Sequence, residues 1–259
     1  MISLCIGTYL ERNQKYLDLC IDSILKQNLP IPFEIIVVSS GSYVPHVPKA
    51  DNIKLIHKPE QTHYPQAMNI AVENSNQDYK YLMCINDDVL FTKNSIVNML
   101  NTMGDNELIM NPISTSDNGW RYHLPLGYIK NGTVVNLPER FYTYEKLQDA
   151  FEDIFNNSIP LPRGLFFVPF TPLYCTLIPR IVWNKVGTLD GNFWTGQDDV
   201  DYSYRAKLLG IRSVVSLDSF VVHFGGSTAT FALTDDIRNR NLAYFLTKWR
   251  NHTEIFSWL

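Results

Sequence analysis

Three short runs rich in apolar residues, Ile2–Ile6, Phe33–Val38 and Tyr79–Ile85, each end abruptly in small or polar residues. Segments of helical period separate them, and this alternation narrows the possible folds more than any other property of the chain. Phe33-Glu34-Ile35-Ile36-Val37-Val38 is almost continuously apolar, as a strand covered on both faces of a parallel sheet must be. Leu17, Cys20, Ile21, Ile24 and Leu25 share one helical face behind Asn13, a candidate N-cap, and Pro30 and Pro32 end that helix. Ile53–Ile56 reads as a short third strand; Ala67, Ile70 and Ala71 mark a second helix. Ile96, Met99, Leu100 and Met103 mark a third, capped by Asn94 or Ser95. The order β-α-β-β-α-β-α up to about residue 112 predicts a doubly wound, mostly parallel α/β sheet with right-handed crossovers. Such sheets bind ligands at the carboxyl ends of their strands, where Thr8, Ser39 to Ser42 and Asn86 to Asp88 would converge.

With 259 residues, 45% of them hydrophobic and 19% charged, the chain can bury a large core, and its composition excludes disorder. A net charge of −4 argues against a protein that coats nucleic acid. Cys5, Cys20, Cys84 and Cys175 form no C-x-x-C pair, so buried, reduced thiols are expected. The N-terminus leads straight into a strand, and the most apolar stretch, Leu165 to Pro179, is short and broken by prolines. A cytosolic protein is therefore expected (host cytoplasm if viral), as one domain over residues 1–259.

The later part changes character. Ser114 to Pro162 is rich in Asn, Gly, Pro and Tyr and reads as an irregular insertion, a lid or acceptor-binding segment, with one helical interval near Tyr144 to Phe155. Regular patterning returns at Leu173 to Ile178, followed by a helix over Pro179 to Val186 that Gly187 ends. Asp198 and Asp199 open a further helix, favourably against its dipole, and Gly210 closes it. Ser213 to Ser216 and Phe220 to His223 read as two short strands, and Asp235 to Trp249 as a final helix.

Three constellations carry chemistry. Asn86-Asp87-Asp88 follows a strand, and two carboxylates at a sheet mouth suit a hard divalent cation carrying phosphate. Asp198-Asp199-Val200-Asp201 opens a helix, where one carboxylate can serve as general base while another does no more than cap. His223 lies between an apolar strand and Gly225-Gly226; beside an acidic metal site it becomes a candidate imidazole ligand.

In these motifs the chain resembles family 2 glycosyltransferases of the GT-A fold. Ile2 to Tyr9 resembles the opening strand and its Pro-Thr-Tyr-Asn turn; Phe33 to Ser42 resembles the second strand with its Asp-Asp-Gly-Ser ending. Ala67-Met68-Asn69 resembles the Ala-Arg-Asn helix, and Asn86-Asp87-Asp88 the Asp-x-Asp motif. Gln197 to Arg205 resembles the acceptor-side Glu-Asp-x-Asp…Arg helix, Val222-His223 the late metal histidine, and Arg238-Asn239-Arg240 the Arg-Asn stretch near the end. The resemblance implies an inverting, metal-dependent transferase in which Asp88 and His223 hold Mn²⁺ or Mg²⁺. It implies donor contacts from Thr8, Glu11, Ser39, Ser40, Asn69, Asn86 and Asp87, with Asp199 as base. Trp194, Asp198 and Arg205 would then face the acceptor. Residues 1–112 would bind the nucleotide sugar and residues 113–234 the acceptor, with residues 235–259 as a C-terminal helix.

Two departures bear on specificity. Serine stands at 39 and 40 where the family usually has a carboxylate that helps read uracil, and Asn86 replaces the first Asp of the metal motif. A UDP-sugar donor and a glycan or lipid-linked saccharide acceptor are expected. Trp120, Tyr122, Tyr128, Phe166, Phe167, Phe170, Tyr174, Trp183 and Trp194 offer aromatic faces in the acceptor half. Arg238, Arg240, Lys248, Arg250 and His252 make the last helix basic, which suits anionic lipid head groups at a membrane surface. It also suits DNA phosphates, as in a viral enzyme glycosylating hydroxymethylated bases. A nucleotidyltransferase would need a Gly-rich loop after the first strand, and only Gly7 is there. A catalytically silent nucleotide- or glycan-binding module is the alternative of another class.

Overall fold

The computed structural model describes residues 1–9, 13–114, 164–194, 196–224 and 234–258, together with the backbone of 127–130 and 133–136. Eleven strands and six α-helices are assigned among the described residues. The strands are β1 (Ile2–Thr8), β2 (Phe33–Ser40), β3 (Ile53–Lys58), β4 (Tyr81–Asn86), β5 (Val89–Phe91), β6 (Leu108–Ser114), β7 (Gly127–Lys130), β8 (Thr133–Asn136), β9 (Leu165–Val168), β10 (Cys175–Pro179) and β11 (Arg212–His223). The helices are α1 (Gln14–Leu25), α2 (Tyr64–Glu73), α3 (Ser95–Met103), α4 (Arg180–Val186), α5 (Asp198–Leu208) and α6 (Asp235–Lys248).

Nine strands form one mixed sheet in the order β3-β2-β1-β4-β10-β6-β11-β5, with β9 also on β11. β1, β2, β3 and β4 pair in parallel, as the alternation predicts. β10 is the departure: it inserts antiparallel between β4 and β6, joining the two halves of the sequence in one sheet. The two strands expected over Ser213 to Ser216 and Phe220 to His223 are one strand, β11, with a register shift between Ser216 and Phe220. Its outer edge is shared: β9 pairs before the irregularity and β5 after it. A three-residue strand such as β5 is too short for any periodicity to reveal it. Within the irregular insertion, β7 and β8 form a separate antiparallel ribbon, and the helical interval at Tyr144 to Phe155 lies outside the described residues.

Apolar side chains fill both faces of the sheet. Leu4, Ile6, Ile35 and Val37 pack under α1 and α3 with Leu17, Ile21, Ile24 and Met99. Cys5, Ile36, Val38 and Cys84 pack under α2, α4 and α5 with Ala67, Met68, Val182 and Tyr202. Each such aliphatic side chain contributes about 1.5–3 kcal/mol by leaving water. A third cluster, Phe193, Val200, Tyr204, Phe245, Trp249 and Ile255, joins α6 to α5. All four cysteines are free and buried. No helix among the described residues is long and apolar enough to cross a membrane.

Candidate active site

The parallel register sets a row of polar side chains at the carboxyl ends of the strands. Gly7 lies opposite Asn86, Thr8 opposite Ser39, and Ser39 opposite His57. Gly7 has a packing reason to lack a side chain, since a Cβ there would lie 3.0 Å from Tyr9 Oη and 3.1 Å from Met68 Cε.

β4 ends at Asn86 and the chain turns at once into β5, which runs antiparallel along β11 and pairs Val89 with His223. Phe224 N–H donates to the Asp88 carbonyl at 3.1 Å, extending that ladder past the turn. His223 Nε2 thereby comes to 3.2 Å from Asp88 Oδ1 and 3.4 Å from the Asn86 amide nitrogen. The imidazole stacks on the Tyr174 ring at 4.4 Å and 13° between planes, which fixes its orientation. Asp88 is only 3% exposed.

Asp87 faces the other way. Its Oδ2 accepts from Asn13 Nδ2 at 3.0 Å, so Asn13 stands at the N-cap position of α1 yet makes no side-chain cap bond. Burial and then the neighbouring Asp88 push the Asp87 carboxyl up to about 7, with Thr8 and Asn13 partly offsetting them. Ser39 Oγ lies 2.9 Å from His57 Nδ1, and Ser40 Oγ accepts from Thr62 N–H at 3.1 Å. His57 carries no family motif, and only the strand register brings it to the row. Asn69 is tied at both ends of its amide to the Leu189 backbone, at 2.8 and 3.0 Å, and so fastens α2 to the segment leading into α5. Glu11 lies outside the described residues.

The second acidic group opens α5 after two consecutive residues of positive φ, Gly196 (89°) and Gln197 (63°). For glutamine that conformation is strained, and such strain persists where the surroundings over-determine it. Asp198 Oδ1 accepts from Gly196 N–H at 2.9 Å across this turn. Burial, then Asp199, push the Asp198 carboxyl up to about 7; burial pushes Asp199 up to about 6. Asp198 is buried and Asp199 partly exposed. The Tyr9 phenol is pushed well up by burial, then by Asp87 and Asp198.

Asp201 and Arg205 are used inside the fold. Asp201 accepts from Arg205 Nε at 2.9 Å, Lys248 Nζ at 2.6 Å and Trp249 Nε1 at 3.0 Å. Arg205 also donates to the Val186 and Thr188 carbonyls, so its guanidinium ties α5 to the end of α4. Trp194 is flanked by His63, stacked at 4.4 Å and 12°, and by Arg240, whose Cζ lies 4.3 Å from the ring centroid. The indole is thus already in contact with an imidazole and a guanidinium. Lys248, Phe245 and Trp249 also point inward, while Arg238 keeps a loose, exposed pairing with Asp235 at 3.6 Å.

The donor set at Asp88 and His223 fits a divalent cation: a carboxylate oxygen and an imidazole nitrogen converge on one spot and leave further positions to phosphate oxygens. Imidazole suits Mn²⁺ better than the harder Mg²⁺. Among the described residues no group of three His, Cys, Asp or Glu converges on one point.

The sequence profile described as Glycosyl transferase family 2 matches residues 3–160, more than half of the chain. The chain belongs to glycosyl transferase family 2. No curated protein matches it by sequence. Among solved structures, this family 2 chain superposes on GalNAc-T7 with UDP, GalNAc and Mn²⁺ at a TM-score of 0.61 and 13% identity, over 86% of this chain and 43% of that one. The mannosyltransferase PcManGT of Pyrobaculum calidifontis, with GDP-Man and Mn²⁺, gives 0.57 and 15%, over 88% and 57%. TarS 1–349 of S. aureus with UDP-GlcNAc gives 0.55 and 13%, over 92% and 64%. These likenesses establish a GT-A fold for the family 2 chain, which spans roughly half the length of the first two.

Proposed function

We propose that the chain moves one sugar from a nucleoside diphosphate donor, UDP before others, to an acceptor hydroxyl with inversion at the anomeric carbon. The observation that carries this reading is the convergence of Asp88 and His223 at the carboxyl end of the sheet. Family membership supports it, as do the UDP, GDP-Man and UDP-GlcNAc bound by the three similar structures. Residues 1–112 would take the donor, 113–234 the acceptor and 235–259 would close the acceptor side as a C-terminal helix.

Asp88 and His223 would hold Mn²⁺ or Mg²⁺ against the donor diphosphate, and the cation, when bound, supplies positive charge to the departing nucleoside diphosphate. Asn86, beside His223, would meet the ribose. The row Thr8, Ser39 and His57, with Ser40 behind it, would border the nucleobase, and Asp87 would hold the turn through Asn13. Asp199, partly exposed and raised to about 6, accepts the proton of the acceptor hydroxyl as its oxygen attacks. Asp198 holds the strained turn through Gly196, and burial keeps Asp199 basic. A base opposite the leaving group gives a single in-line displacement, hence inversion. Because His63 and Arg240 already contact the Trp194 ring, an acceptor sugar would meet the part they leave open or displace Arg240.

The test is NMR of the reaction with UDP-glucose, UDP-N-acetylglucosamine, UDP-galactose or GDP-mannose in the presence of Mn²⁺. Release of sugar with the opposite anomeric configuration is expected. Release with retained configuration, or no turnover of any donor, would overturn the reading.

A further inference from the structure

The segment carrying Asp198 and Asp199 starts near Asp190 and ends at Asp201, and one side chain binds both ends. Lys248 Nζ lies 2.7 Å from Asp190 Oδ2 and 2.6 Å from Asp201 Oδ1. We propose that Lys248 is a positioning residue for the transfer reaction: it staples the two ends of this segment and so holds the Asp199 carboxylate where an acceptor hydroxyl must meet it. The inference rests on the transferase reading above and goes beyond it, by assigning a role in turnover to a residue of the C-terminal helix.

The rest of α6 supports the staple. Tyr244 Oη donates to the same Asp190 oxygen at 2.9 Å, and Trp249 Nε1 to Asp201. The fully buried Asn241 spans the middle of the segment, accepting from Trp194 N–H and donating to the Gly196 carbonyl, each at 3.4 Å. Arg240 lies on the Trp194 ring. Against the effect of burial, Lys248, the Asn192 N–H and Tyr244 hold the Asp190 carboxyl down to about 2. What they hold is a turn with two residues of positive φ, one of them not glycine. Such a turn relaxes when its surroundings slacken, and a displacement of about 1 Å at a reacting group can cost about 100-fold in rate.

Lys248→Met keeps the apolar stem and removes the ammonium; Lys248→Arg restores a cation. In the full chain, turnover of the same four nucleotide sugars with Mn²⁺ is measured with hydrogen exchange of the Trp194, Gly196 and Val200 amides. The expected result for Lys248→Met is kcat lowered about 10- to 100-fold at unchanged donor KM, with exchange faster at those amides and unchanged in β1 and β4. Lys248→Arg recovers part of kcat. If Lys248→Met does not fold, Tyr244→Phe, which removes one hydroxyl from Asp190, is expected to show the same split on a smaller scale. Wild-type turnover with kcat unchanged in Lys248→Met, or in Tyr244→Phe where that variant stands in, overturns the inference alone. No turnover of any donor by the wild type overturns the transferase reading and the inference with it.

Discussion

His223 Nε2 lies 3.2 Å from Asp88 Oδ1 because β5 runs antiparallel to β11 and pairs Val89 with His223. Two residues distant in sequence thus come together, and the Tyr174 ring stacked on the imidazole keeps it there. His223→Ala is expected to weaken Mn²⁺-dependent UDP binding by at least about tenfold, since oriented groups around a metal are worth that much. Calorimetric titration with and without Mn²⁺ reads this directly; equal affinity in wild type and variant would remove His223 from the site.

Asp199→Asn keeps the shape of the carboxylate and removes its basicity. Turnover should fall by about 100- to 10,000-fold while UDP binding persists. A non-catalytic binding module would show no turnover to lose. In the wild type the base must be unprotonated, so the rate rises with pH through the range set by Asp199 at about 6 and Asp198 at about 7, and falls as pH drops below it. Because the two carboxyls interact, this limb belongs to the pair. A rate profile flat from pH 5 to 8 would contradict the assignment.

Asp201 predicts the opposite pattern from its neighbour. It is fully buried and accepts from Arg205, Lys248 and Trp249, so Asp201→Ala leaves two cations without their shared partner. A loss of about 3–5 kcal/mol in stability is expected by urea denaturation. Stability within 1 kcal/mol of wild type would show that the network does little for the fold.

His57 is reached through Ser39, 2.9 Å away at the end of the polar row. Between them a hydroxyl and an imidazole can offer either a donor or an acceptor, unlike a carboxylate, which only accepts. His57→Ala should cost about 1 kcal/mol in nucleotide binding, roughly fivefold in Kd, with no change in Mn²⁺ affinity. Unchanged Kd values for UDP, GDP, CDP and dTDP would exclude it from base contact.

The first half of the fold was legible because strands buried on both faces leave nearly unbroken apolar runs, and helices between them leave a 3.6-residue period. β5 and β9 were not, being three and four residues long, and neither was β10 as an antiparallel insertion, since strand direction leaves no mark on composition. Motif position singles out Asp88 and His223, and the β5–β11 pairing brings the two side chains together. Asn13 reads in sequence as a helix cap, but its amide goes to Asp87. Arg205 and Trp194 read as acceptor contacts; the first is bound to Asp201 and two carbonyls, and the ring of the second is in contact with His63 and Arg240. Partners of this kind come from elements far apart in the chain, and no local pattern records them. For the same reason Lys248 reads in sequence only as part of a basic helix, and His57 carries no signal at all.

The most direct measurement is calorimetric titration of UDP, GDP, CDP and dTDP, with and without Mn²⁺, on wild type and Asp88→Ala. Mn²⁺-dependent binding of one nucleotide, lost in Asp88→Ala, is the predicted result and names the base of the donor. Binding that ignores both Mn²⁺ and the loss of Asp88, or no binding under any condition, would contradict a metal-held nucleotide-sugar site at the carboxyl end of this sheet.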